Sequence, residues 1–174
     1  MRRLLLIVAL AGCSRAPESA PGTAAYEPVD RGFICSAPAS WRVQEADGGA
    51  HRVSFFGPPG GPAPFSEAIV VYRHDPKSSM PTMDAFVAAK SIEGPPSPPS
   101  KTTVGGRAAL DLRYASTMTG PHFPEGRLAM RHHAVLVADA DGYWALVHSW
   151  PETAKPGEDA FKAVVETFRP AAVH

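Results

Sequence analysis

The chain has 174 residues, enough for one domain. Lys plus Arg and Asp plus Glu both number 17, so no strong field is present to draw nucleic acid or anionic headgroups. With 44% hydrophobic and 20% charged residues the body folds as a globular chain, and 19 prolines with 15 glycines point to Pro-rich loops rather than disorder.

The first element is an export signal. Arg2 and Arg3 precede an apolar run at residues 4–10, and Leu10-Ala11-Gly12-Cys13 closes it with small residues before a cysteine. As a helix, residues 4–12 would span about 14 Å, less than half a bilayer core, so the segment directs export and cannot anchor. The Leu-Ala-Gly-Cys run resembles the lipobox of bacterial lipoproteins. That resemblance implies that residues 1–12 are a signal peptide and that Cys13 becomes the mature N-terminus and carries palmitate-type acyl chains. It places the protein in the cell envelope as a lipid-anchored membrane protein. Ser14 in place of Asp is compatible with the periplasmic face of the outer membrane in a Gram-negative cell. Two or three acyl chains hold a protein stably where one is marginal. Processing removes Arg2 and Arg3 and leaves a mildly acidic mature chain.

Residues 13–30 read as the lipidated cysteine followed by a flexible tether, with Pro17, Pro21, Gly22 and Pro28 and no apolar periodicity. Such a tether has a root-mean-square reach of roughly 20–25 Å. The domain is expected over 31–170, with 171–174 as a tail. Residues 32–36 and 41–45 read as strands, and Asp47-Gly48-Gly49 as the turn to a third at 52–55. A Gly/Pro-rich loop follows at 57–64. Residues 68–72 form the next strand, and Ile69-Val70-Val71, apolar on both faces, predicts cover on both sides.

The period then changes. Thr82 caps a helix carrying Phe86, Val87 and Ala89, Asp84 suits its first turn, and Gly94-Pro95 stops it. Residues 94–100 form a stiff Pro-rich surface loop. Val104-Gly105-Gly106-Arg107 reads as a hairpin turn into a strand over 107–116, with Ala108, Leu110, Leu112 and Tyr114 on one face. A loop covers 117–126. Strands over 127–138 and 143–150 pair through the turn at 139–142. A helix over 157–168 closes the chain, with Phe161, Val164, Val165 and Phe168 as its apolar stripe.

This order predicts an α+β fold, a mostly antiparallel sheet covered by helices. Phe33 with Pro38-Ala39-Ser40-Trp41-Arg42-Val43, the Val104-Gly105-Gly106-Arg107-Ala108-Ala109 turn and strand, and Gly142-Tyr143-Trp144-Ala145-Leu146 followed by residues 161–168 resemble the PsbP-like family. The resemblance spans about 140 residues and implies an α/β/α sandwich. Relatives of that fold serve as photosystem II subunits, Ran-GTPase-binding import factors and bacterial lipoproteins, so it implies little about activity.

Motifs for chemistry are few. Cys35 follows Phe33 at strand spacing and reads as a buried, inert thiol. Asp139-Ala140-Asp141-Gly142 starts like a calcium loop, but its twelfth position is Trp150, so a turn is expected. His132 and His133 are adjacent on a strand and point to opposite faces. His148 on the pairing strand can approach one of them, with His122, His51 or an acid as a third ligand. The loop at 117–126, with His122 and Phe123, is the candidate binding loop. No cofactor, metal site or catalytic residue is expected. Two functions remain: a lipid-anchored, non-catalytic binding or assembly protein holding another envelope component, or an envelope enzyme or metal-binding protein using His132, His133 and His148.

Overall fold

The computed structural model describes residues 22–46, 52–59, 67–91 and 96–171. Cys13 and its lipobox, His51, the turn at 47–49 and the Gly94-Pro95 stop lie outside the described residues. Among the described residues ten strands and two α-helices run in the order β1 (Thr23–Tyr26), β2 (Phe33–Pro38), β3 (Arg42–Glu45), β4 (Arg52–Phe56), β5 (Ala68–His74), α1 (Met83–Lys90), β6 (Ser100–Val104), β7 (Arg107–Thr119), β8 (Arg127–Asp139), β9 (Gly142–Pro151), α2 (Glu158–Thr167) and β10 (Arg169–Pro170).

Seven strands form one sheet in the order β3-β4-β5-β9-β8-β7-β6, antiparallel at every pair. A second sheet, β1-β2-β10, is also antiparallel. Its presence corrects one expectation. Residues 23–26 are not tether: they pair with β2 from Thr23↔Pro38 to Tyr26↔Cys35, so the fold begins at about Gly22. Two alanines and a β-branched threonine carry little apolar signal, and pairing rather than periodicity makes them a strand.

Alternation sorts the large sheet into two faces. Val53, Phe55, Ile69, Val71, Val135, Val137, Trp144 and Leu146 face the small sheet and α2, which contribute Phe33, Cys35, Phe161, Val164 and Phe168. Leu112, Tyr114, Ala134, Leu136, Tyr143, Ala145 and Val147 face α1 and meet Phe86. β5 therefore has cover on both faces, as its apolar run requires. The result is an α+β fold in which an antiparallel sheet carries one helix on each face.

Local signals act where expected. Thr82 caps α1, its side chain accepting from the Ala85 N–H at 3.1 Å. Gly105 and Gly106 form the β6–β7 turn with φ of 56° and 79°, the conformation that a two-residue hairpin demands. A Cβ on Gly142 would lie 2.1 Å from the His74 carbonyl oxygen, so only glycine fits where β9 starts against β5.

Candidate functional site

The helix α2 and the small sheet cover only part of their face of the large sheet. Between α2 and strands β7, β8 and β9 a cleft of about 470 Å³ stays open. Its floor is made by His133 and His148, which stand opposite each other across β8 and β9. Trp150, Phe161, Glu158 and Lys162 form part of its walls.

Each floor histidine is held by a carboxylate. His133 Nε2 lies 2.9 Å from Asp111 Oδ2. His148 Nε2 lies 2.7 Å from Glu67 Oε2, and the same oxygen accepts the Gly157 N–H at 2.8 Å. Glu67 therefore ties the start of β5, the floor of the cleft and the N-terminus of α2 together. Phe161 completes the tie: its ring stacks on His148 at 5.3 Å and meets His133 edge-on at 4.8 Å. Burial pushes the His148 pKa below the usual histidine value, and the hydrogen bond and charge of Glu67 oppose that shift.

His132 points to the opposite face. Its Nε2 lies 2.7 Å from Ser116 Oγ, its Nδ1 lies 2.8 Å from Ser149 Oγ, and its ring stacks on Tyr114 at 4.5 Å. Burial, with the positive charge of Lys90 and the proximity of His148, lowers its pKa to about 4. It is a neutral imidazole with both nitrogens in use. The structure thus brings His133 and His148 together and separates His132 from them. Among the described residues no three His, Cys, Asp or Glu side chains are placed to share a metal ion.

β7 runs to Thr119 and β8 starts at Arg127, so the expected loop shrinks to residues 120–126. Phe123 is buried against Leu128 and Met130, with the His122 ring 4.2 Å from its own. Phe123 thus anchors this turn, which corrects the expectation that its ring is exposed, while His122 stays at the surface. Asp139 accepts from Arg107 at 2.7 Å and from Arg73 and Trp144 at 3.2 Å. Burial works against its ionised form, but the Ala140 N–H, Arg73 and Arg107 outweigh it and hold the pKa below the usual carboxylate value. Asp141 pairs with Arg73. These carboxylates fasten a turn with cations. Cys35 is buried in the core, and burial pushes its pKa to about 12.

Sequence reasoning missed Glu67 and Asp111. Asp111 had a usable signal. It sits on β7 at the polar parity, and the tight β8–β9 turn fixes the register that pairs His133 with His148, while the connection at 120–126 lets β7 place Arg113 opposite His133. Glu67 had none, because β5 and β9 are far apart in the chain and nothing local sets their pairing.

No protein-family model matches the chain, and no curated protein sequence matches it. Solved structures do. A Bacteroides thetaiotaomicron protein superposes with a TM-score of 0.54 at 12% identity over 85% of this chain, which spans only 48% of that protein. A Pseudomonas aeruginosa protein of unknown function, described as a putative regulator, gives a TM-score of 0.53 at 18% identity, covering 87% of this chain and 99% of that one. The Saccharomyces cerevisiae Ran-binding protein Mog1p gives 0.53 at 10% identity, covering 85% and 95%. At such identities the likeness shows the fold alone. A Ran-binding protein is the kind of fold relative that the PsbP-like resemblance implies.

Proposed function

We propose that this chain is a lipid-anchored docking protein of the bacterial cell envelope. Cys13 holds it to a membrane, and the α2 side of the large sheet holds another envelope protein. The observation that carries the docking half is the state of the cleft's polar groups. His133 is spent on Asp111, and His148 on Glu67, which also fastens α2. These bonds engage the Nε2 of each histidine and set the shape of a surface, and among the described residues that line it there is no Ser, Thr or Cys. A Ran-binding protein shares the fold, which supports a docking role by analogy. The lipid half rests on Leu10-Ala11-Gly12-Cys13 and the apolar run before it.

A photo-crosslinker placed at Lys162, on the cleft wall, tests docking in intact cells. A discrete protein adduct that is absent from a control position at Lys77 is expected; equal labelling from both positions overturns the reading. Catalysis or metal binding through His132, His133 and His148 as one site does not fit their placement on two faces. Calorimetric titration of the full chain with Zn²⁺ should show no tight stoichiometric site. A one-to-one isotherm that disappears in the His133→Gln, His148→Gln double variant would reverse the ranking.

A further inference from the structure

Beside the cleft, toward the far ends of β7, β8 and β9, a second cavity of about 390 Å³ opens on the sheet. Its lining includes Arg113, Arg131, Ser97 and Trp150, and it has no carboxylate. In a chain whose acidic and basic residues are equal in number, that asymmetry is local and built. Arg113 pairs with His133 and Arg131 with Ala115, so the two arginines stand on the same face as diagonal neighbours on adjacent strands. Diagonal partners lie roughly 7–8 Å apart, within reach of long side chains, and like charges so placed repel. Trp150 stands directly opposite Arg131 on β9.

Ser97, Arg113 and Arg131 bring side-chain O–H and N–H donors to this cavity. Ser97 Oγ already accepts the Arg113 backbone N–H at 2.8 Å, so its hydroxyl hydrogen is the part left to donate. Arg131 gives one amino group to Glu152. Among the described residues no carboxylate pairs with Arg113, and Asp111, two residues along the strand, gives its Oδ2 to His133. Of the two guanidinium groups Arg131 thus has a carboxylate partner, while Arg113, which also borders the cleft lined by Glu158 and Asp159, makes no ion pair among the described residues. That balance suits a singly charged carboxylate better than a phosphate dianion, and the planar guanidinium fork matches carboxylate geometry. The indole of Trp150 supplies an apolar wall for the methylenes of an acidic side chain.

We propose that this cavity is a carboxylate-binding site, formed by Arg113, Arg131 and Ser97 with Trp150, and that it takes an acidic side chain of the docked protein. The identity of the occupant rests on the docking role proposed above; the site itself does not. The test is an NMR titration of the full chain in detergent, read at the Trp150 indole N–H. The probes are N-acetyl-glutamate methylamide, its glutamine counterpart and inorganic phosphate. The glutamate probe should shift the resonance saturably, and the glutamine probe should not. Arg113→Gln should weaken the response about fivefold, as expected for losing one exposed charge pair, and Arg113→Lys should restore part of it. An equal response to the glutamine probe, or an undiminished response in Arg113→Gln with an unchanged melting temperature, overturns the site. Saturation at lower concentration by phosphate overturns the choice of a carboxylate. The two readings separate cleanly. A Lys162 adduct that persists undiminished in Arg113→Gln leaves docking standing and removes this site from it. A glutamate response without any adduct leaves the site standing and removes the partner.

Discussion

Phe168 is the residue at which three parts of the fold meet. It closes α2, and its ring lies 5.4 Å from Phe33 of the small sheet and 5.7 Å from Trp144 of the large one. The ring is fully buried. Truncation to alanine should cost about 3–5 kcal/mol, a large share of a typical stability of about 5–15 kcal/mol, read as a drop in the denaturation midpoint. His132 makes a prediction of the opposite kind, in pH rather than volume. Its folded pKa of about 4 lies below the ordinary value of 6.5. The sign follows: its contribution is fully present above pH 6.5 and is lost as pH falls toward 4. The loss is up to about 3 kcal/mol. Asp139, also held below its usual pKa, acts in the same direction at lower pH. Urea denaturation at pH 7 and pH 4.5 should show this slope in the wild type and a shallower one in His132→Asn. Equal slopes would mean that burial does not hold the imidazole neutral. Cys35 should resist alkylation at neutral pH until the chain unfolds.

Among the elements, those with their own periodicity or punctuation could be read in advance. α2 shows its stripe, β5 its doubly apolar run, and the β6–β7 and β8–β9 hairpins their glycines. Gly142 carries a sharp expectation. Alanine there meets the His74 carbonyl and should destabilise by more than Thr82→Ala, which removes one cap at about 1 kcal/mol. A chemical melt of both variants compares them directly. What could not be read was set by distance along the chain. β1 exists because β2 offers it an edge, and β10 because Phe168 brings Arg169 to Ile34. The candidate site divides along the same line. That His132 and His133 face apart follows from strand alternation alone. That His133 and His148 share a floor follows from a hairpin register. Glu67, which joins that floor to α2, depends on the pairing of β5 with β9, and no turn dictates it. Phe123 misled because a proline-flanked aromatic in a loop looks exposed until the strands beside it are extended.

At the scale of the molecule the two faces of the large sheet do different work. The α1 face is an aromatic core, with His74 stacked on Tyr143 at 4.8 Å and Phe86 edge-on to Tyr114. The α2 face is partly open, and its cleft is lined by Asp111, Arg113, Glu158, Asp159, Lys162 and Glu166. Radioactive fatty-acid labelling should mark the wild-type protein and miss Cys13→Ser; an unmodified Cys13 in mature protein would leave a secreted domain with the same open face.

Strand β1 also sets a distance. The fold is already closed at its first described residues, where the Ala39 N–H donates to the Gly22 carbonyl and Thr23 pairs with Pro38. With acyl chains on Cys13, residues 14–21 are all that separates lipid from domain, and eight residues in any conformation span at most about 29 Å. A domain of this size has a radius of gyration of about 15 Å, so with that anchor it would stand within one of its own diameters of the bilayer. On the lipid-anchored docking role proposed above, a partner would have to bring its docking segment down to the membrane surface, and adding a long Gly/Ser stretch after Ser14 should widen the set of positions from which Lys162 cross-links.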